Sequence, residues 1–173
     1  MRIAILGGGH GCYAAAADLS EQGHEVRLWR RDAAALAPVL ATRTLTLRDH
    51  RGRRDVPLAL VTTEIGAATR GAELILVPTP AFAQEDIARG LAPHLEDGQV
   101  VFLPPGTFGS YAMAHIAHDA GSRAKVAWAE TGTLPYLARK HGPAEVAITT
   151  CATRLPTGVF PAAASAHTLA VIA

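Results

Sequence analysis

The sequence predicts an α/β domain: a doubly wound, mostly parallel sheet with helices on both faces. Three observations carry this. Short β-type apolar runs alternate with helical segments from the first residues onward, the signature of strand–helix–strand units. The first run, Ile3-Ala4-Ile5-Leu6, is apolar at every position, as burial on both faces of a sheet demands. The chain has 173 residues, 49% hydrophobic and 18% charged, which is enough for one domain with a substantial core. The same composition excludes disorder and coiled coil. A formal net charge of +1 offers no general attraction to nucleic acid or to an acidic membrane.

The elements follow in order. The strand Ile3–Leu6 stops at Gly7, too short for the roughly 7–15 apolar residues of a signal peptide. No later stretch approaches the roughly 18 of a membrane span, so a soluble protein is expected. Alanines make Tyr13–Gln22 a helix, and Gly23 stops it. Val26–Trp29 is the second strand. Thr44–Leu47 alternates with period two, turns around His50-Arg51-Gly52 and returns through Val56, Leu58 and Leu60, a hairpin expected at a sheet edge. Leu74–Val77 is a buried strand, followed by Pro78-Thr79-Pro80 and a helix over Gln84–Leu91. Asp97-Gly98 turns into a strand at Val100–Leu103, and Pro104-Pro105-Gly106 opens a loop. A helix over Thr107–Ala120 ends at Gly121, Val126–Ala129 is a sixth strand, Glu145–Thr150 a late one, and Ala162–Ala173 is helical. No repeat or linker interrupts residues 1–173, which read as one domain.

The chemistry begins at the first turn. In Ile3-Ala4-Ile5-Leu6-Gly7-Gly8-Gly9-His10-Gly11-Cys12 a glycine-rich turn joins a strand to a helix, the dinucleotide-binding layout of a Rossmann domain. Gly7 makes the tight turn, Gly9 lets the backbone approach a pyrophosphate, and Cys12 is the small residue that lets helix and strand pack. His10 and Gly11 lie in the phosphate loop, on the free N–H groups and positive dipole end of the helix. His10 is equally readable as a cofactor contact or as a tolerated side chain. Eighteen residues past Cys12 stands Arg30, where an NAD-specific site places a carboxylate for the ribose 2′-hydroxyl. An arginine there suits a 2′-phosphate, with Arg31 beside it, so NADP is the expected cofactor and NAD the alternative. Asp32 could restore the acid. Pro78, Thr79 and Pro80, at the carboxyl end of a strand, complete the expected cofactor-binding set.

Other motifs read as structure. The basic run from Arg48 to Arg54 lacks interleaved aromatics and reads as a solvated hairpin turn. His115 and His118 share a helix face with no third ligand spaced for a metal. Cys12 and Cys151 make no disulfide framework, which points to a reducing, cytoplasmic setting, and Cys151 reads as a small buried residue. Thr107 and Thr133 follow strands at their carboxyl ends, where open α/β sheets bind ligands. Thr107 reads equally as a helix N-cap. Glu130 has no assignable partner and reads as structural.

The segment from Gly7 through Gly23-His24-Glu25-Val26-Arg27-Leu28-Trp29-Arg30-Arg31 resembles the octopine/nopaline (opine) dehydrogenases and their glycerol-3-phosphate-dehydrogenase-like relatives. Leu103-Pro104-Pro105-Gly106-Thr107-Phe108-Gly109-Ser110 and Glu130-Thr131-Gly132-Thr133-Leu134-Pro135-Tyr136-Leu137-Ala138-Arg139 favour the opine branch. The resemblance implies reductive condensation of a 2-oxo acid with an amino acid. It implies that both loops line the nicotinamide end, that Thr133 hydrogen-bonds the oxo acid, and that Thr107 replaces an amide side chain. Ala138 stands where some relatives carry a cysteine near the amino-acid substrate. In that family a second, helical domain supplies the catalytic His-Asp pair, so the catalytic group is expected beyond Ala173. The expected partners are these two small substrates, with a homodimer left open. The alternatives are a glycerol-3-phosphate or ketopantoate-type reductase domain, which lacks the Thr-Leu-Pro-Tyr loop, and a non-catalytic dinucleotide-sensing domain.

Overall fold

The computed structural model of the chain describes residues Met1 to Ala173. The strands are β1 (Arg2–Leu6), β2 (Glu25–Trp29), β3 (Thr44–Asp49), β4 (Gly52–Pro57), β5 (Leu60–Thr62), β6 (Leu74–Leu76), β7 (Val100–Leu103), β8 (Ala127–Thr131), β9 (Tyr136–Lys140), β10 (Glu145–Cys151) and β11 (Thr157–Phe160). The helices are α1 (His10–Glu21), α2 (Ala33–Thr42), α3 (Ile65–Thr69), α4 (Ala81–Leu91), α5 (Gly109–Asp119) and α6 (Ser165–Ile172). Seven strands form the main sheet in the order β11-β8-β7-β6-β1-β2-β5. All its neighbours are parallel except the edge pair β11 and β8. This is the doubly wound sheet expected. No helix is long and apolar enough to cross a membrane.

Period-two geometry explains the strand composition. Ile3 and Ile5 enter one core with Leu74, Leu76, Val100 and Phe102, while Ala4 and Leu6 enter a second with Ile75, Val101 and Leu103 on the opposite face. The second core is closed by Ile87, Ala88 and Leu91 of α4 and Met113 and Ala117 of α5. Helix α1 closes the first, and Gly23 ends it as expected, at φ +89° with N–H bonds from Gly23 and His24 back to Ser20 and Leu19.

The hairpin forms, but not at an edge of the main sheet, and its return strand ends at Pro57, while Leu60 begins β5 of the main sheet. β3 and β4 belong to a separate four-stranded sheet, β4-β3-β10-β9, in which β10 runs parallel to β3 and antiparallel to β9. The late strand is part of it. This sheet covers the outer face of α1, which is why Ala14, Ala15, Ala16 and Ala17 are all buried. A helix held between two sheets needs small apolar residues all round. Three further departures have local causes. Residues 33–42 form a helix that the alanine run with an internal Pro38 did not announce, started by Asp32, whose Oδ1 accepts from the Ala35 N–H at 3.0 Å. The fifth helix begins at Gly109 rather than Thr107, because Thr107 and Phe108 are left-handed, at φ 56° and 63°. Cys151 is exposed, not buried, since it ends β10 beyond a register shift.

The basic hairpin run is neutralised within the fold. Arg54 donates to both carboxylate oxygens of Asp49, at 2.7 and 2.8 Å, and to Glu21 of α1. Arg51 also reaches Glu21, and Arg53 pairs with Glu145 of β10. The Arg54 guanidinium holds the Asp49 and Glu21 carboxyls below their ordinary range. Depressed carboxylate values stabilise the fold above the unfolded value of about 4 and lose that contribution as pH falls through the folded one. Arg54→Met is expected to cost about 1–2 kcal/mol at pH 7 and to make the acid-side loss of stability shallower. Thermal melts between pH 7 and pH 2 check both, and parallel curves for the two proteins would contradict the assignment.

Candidate functional site

β1 ends where the chain must turn sharply into α1. Gly7 sits at φ +126°, and a Cβ there would come within 2.8 Å of both Cys12 Sγ and Thr79 Cγ2, so conformation and space both require glycine. Cys12 fills the third position as expected. Fully buried, its Sγ lies 3.7 Å from Leu6 O and 3.6 Å from Pro78 O, and burial pushes its thiol up to about 11. It packs and does not react.

The glycine turn, the end of β2 and the start of α4 enclose a cleft of about 570 Å³. Seven expected site residues line it: Gly7, Gly9, Arg30, Arg31, Pro78, Thr79 and Pro80. Its far wall is Ile65, Phe82, Ala83 and Ile87, an apolar surface suited to a base. Phe82 is 87% exposed, a ring with no protein neighbour to shelter it. An aromatic two residues past Pro80 is the one sequence signal for it.

Three features of the cleft fit a bound dinucleotide. A Cβ at Gly9 would meet no protein atom, so the loop leaves open space there. The first-turn N–H groups of His10 and Gly11 have no backbone acceptor, and α1 has no side-chain cap. Thr79, 8% exposed, carries a buried hydroxyl without a hydrogen-bond partner. A nucleotide with an adenine, a pyrophosphate and ribose hydroxyls matches apolar wall, helix terminus and donor in turn.

The basic pair divides. Arg30 lies across Gly8, occupying the space a Gly8 Cβ would need, and its Nη1 donates to Ala35 O at 3.3 Å. The closest carboxylate oxygen, Asp32 Oδ2, is 4.0 Å away, and Asp32 is already the cap of α2. Asp32 lines the cleft, and its capping bond engages only Oδ1. Arg31 instead turns to Asp86 across the cleft mouth, with an Nη1–Oδ2 distance of 2.9 Å between two exposed side chains.

Of the remaining loop residues, Gly11 is buried, and a Cβ there would come within 2.6 Å of Leu134. It lets the loop after β8 close over α1. His10 is exposed and its Nδ1 accepts from the Lys140 N–H at 2.9 Å. Thr107 and Thr133 stand apart from the cleft, both exposed, on loops after the adjacent strands β7 and β8. Those loops are tied together: Gly106 N–H donates to Thr131 O, and the Thr131 hydroxyl donates to Thr133 O at 2.8 Å. Thr107 is not the helix cap. Glu130 takes that part from β8, accepting from the N–H groups of Phe108 and Ser110 at 2.9 and 2.8 Å. His115 stacks edge-on against Tyr111 with centroids 4.4 Å apart.

Comparison with known proteins bears on the fold and the family. Opine dehydrogenase of Arthrobacter sp. (strain 1C) is 28% identical over 161 residues, 92% of this chain and 45% of that protein. A glycerol-3-phosphate dehydrogenase (NAD(P)+) of Nitratidesulfovibrio vulgaris (strain DP4) is 35% identical over 107 residues, 58% of this chain and 30% of that one. Among solved structures, octopine dehydrogenase in complex with NADH and agmatine has the same fold, with a TM-score of 0.78 at 22% identity over 91% of this chain and 41% of its own. NADP+-bound yersinopine dehydrogenase follows at 0.76 and 18%, over 99% and 44%. The chain spans less than half the length of each of these relatives. Residues 3–150 match the family model described as ketopantoate reductase PanE/ApbA, and the chain belongs to that family.

Proposed function

We propose that this chain is the dinucleotide-binding domain of a cytoplasmic NAD(P)-dependent oxidoreductase of the opine dehydrogenase type. The observation that carries the reading is the cleft in which Gly7, Gly9, Arg30 and Thr79 meet beside the uncapped start of α1. The phosphate loop and the N–H groups of His10 and Gly11 hold the pyrophosphate, and the Thr79 hydroxyl gives or takes a hydrogen bond. When bound, the cofactor supplies the hydride for reduction. Thr107 and Thr133 face the 2-oxo acid, and the acid–base group comes from outside residues 1–173. The length of the curated opine dehydrogenase match, 92% of this chain, favours this branch. The family model's own description makes ketopantoate reduction the second reading.

Arg30 makes NADP(H) the preferred cofactor. It is the cleft cation without a close carboxylate, whereas Arg31 is held by Asp86. A charge-assisted contact contributes roughly 1.5–3 kcal/mol, one to two decades in affinity. Calorimetric titration is expected to show NADP+ tighter than NAD+, Arg30→Ala to remove the difference, and Arg31→Ala to change it little. Equal or tighter NAD+ binding, unaffected by Arg30→Ala, overturns the preference.

A further inference from the structure

Lys140 ends β9 in the second sheet, yet its polar contacts converge on the glycine loop. Its Nζ donates to Gly8 O at 3.1 Å, and its main-chain N–H donates to His10 Nδ1 at 2.9 Å. One residue therefore grips both neighbours of Gly9. The ammonium also lies 3.6 Å from the centroid of the Tyr13 ring. None of these three contacts is a carboxylate.

Across Gly8 from this ammonium lies the side chain of Arg30, itself 4.0 Å from the nearest acid. Two cations thus flank the first half of the phosphate loop with little opposite charge. Burial first, and then Arg30, draws the Lys140 ammonium below its ordinary value. Beneath them the Tyr13 hydroxyl is fully buried with no hydrogen-bond partner. Like charges in one place leave a local deficit of negative charge. An anion on the loop would relieve it.

We propose that Lys140 is a positioning residue of the phosphate loop, its ammonium fixing the Gly8 carbonyl and adding its charge to the attraction for the pyrophosphate, while its main chain holds the His10 imidazole. This rests on the dinucleotide reading and extends it to a residue of the second sheet. The consequence is a division of labour. Lys140 acts on the pyrophosphate, common to NAD+ and NADP+, whereas Arg30 acts on the 2′-phosphate that only NADP+ carries.

The test is calorimetric titration of the 173-residue chain and of Lys140→Met, Lys140→Arg and Arg30→Ala with NAD+, NADP+ and adenosine 2′-monophosphate, at two ionic strengths. Lys140→Met is expected to weaken both dinucleotides by about tenfold, the worth of one charge-assisted contact. It should also flatten the salt dependence of their binding, as loss of a charge does. Adenosine 2′-monophosphate, which has no pyrophosphate, should be little affected, and Lys140→Arg should restore most dinucleotide affinity. A packing role alone would leave the salt dependence unchanged, and melting curves recorded alongside separate loss of folding from loss of binding. If Lys140→Met unfolds, Lys140→Gln, which keeps a donor for the Gly8 carbonyl but not the charge, carries the test: weaker binding of both dinucleotides with a flatter salt dependence supports the inference, and wild-type values for both overturn it. Wild-type affinity for both dinucleotides in Lys140→Met, or a loss confined to NADP+ and adenosine 2′-monophosphate, overturns the inference. A wild-type chain that binds no dinucleotide overturns the underlying reading instead, and this one with it.

Discussion

Residues 1–173 alone are expected to leave NADPH oxidation at the buffer rate when supplied with pyruvate and an amino acid. Hydride transfer to a carbon acceptor needs a general acid beside it, a contribution of roughly 10²–10⁴ in rate. The loops that carry Thr107 and Thr133 offer none. The acid beside them, Glu130, has both carboxylate oxygens engaged by the N–H groups of Phe108 and Ser110. The substrate also lacks most of its walls, since Thr107 and Thr133 are both exposed. Oriented reactants account for roughly 7–11 kcal/mol of a barrier, so losing both effects leaves nothing measurable. The assay follows absorbance at fixed cofactor with and without protein. Turnover above the control that Thr133→Ala abolishes would place the catalytic group within these residues.

Glu130→Ala is expected to lower stability by about 2–3 kcal/mol, from an uncapped helix and two backbone donors without partners. Thr107 and Phe108 are consecutive non-glycine residues in the left-handed region, an arrangement costing roughly 1–2 kcal/mol per residue. The Glu130 carboxylate spans that strain by binding the N–H groups of Phe108 and Ser110, while Gln84 Nε2 donates to Gly106 O at 3.3 Å. For a domain of this size the loss corresponds to roughly 4–12 °C in Tm. Glu130→Gln keeps an acceptor and should lose less. A melt of Glu130→Ala within a degree of wild type would show that the loop holds itself. Because the adenine-side cleft is separate, NADP+ affinity near that of wild type in the surviving fold is expected.

The glycine turn was legible because its requirements are local. A positive φ at Gly7, an open side at Gly9 and a small residue at Cys12 follow from a strand turning into a helix within a few residues, whatever surrounds them. Arg30 was legible for a similar reason, since its distance from the turn is set by one helix and one strand. Strand content was legible from apolarity, and Glu130 could be read as structural though not as what it caps. Lys140 and the Thr79 hydroxyl were not legible as site features. Lys140 meets Gly8 across 132 residues, and nothing near either one in sequence records the meeting.

The amino-acid sequence by itself determined the parallel sheet, the glycine turn and the cation at the end of β2, because each depends on backbone geometry over a short span. Only the tertiary structure decided that the hairpin leaves the main sheet, that Asp32 caps a helix, and that Arg31 is tied to Asp86. The physical reason is the same in each case. A hairpin's period-two pattern specifies that it has a buried face but not which surface covers it, and here that surface is α1. A charged side chain likewise has no partner until the fold brings one within reach, and here the fold gives Arg31 Asp86 at 2.9 Å and leaves Arg30 4.0 Å from Asp32.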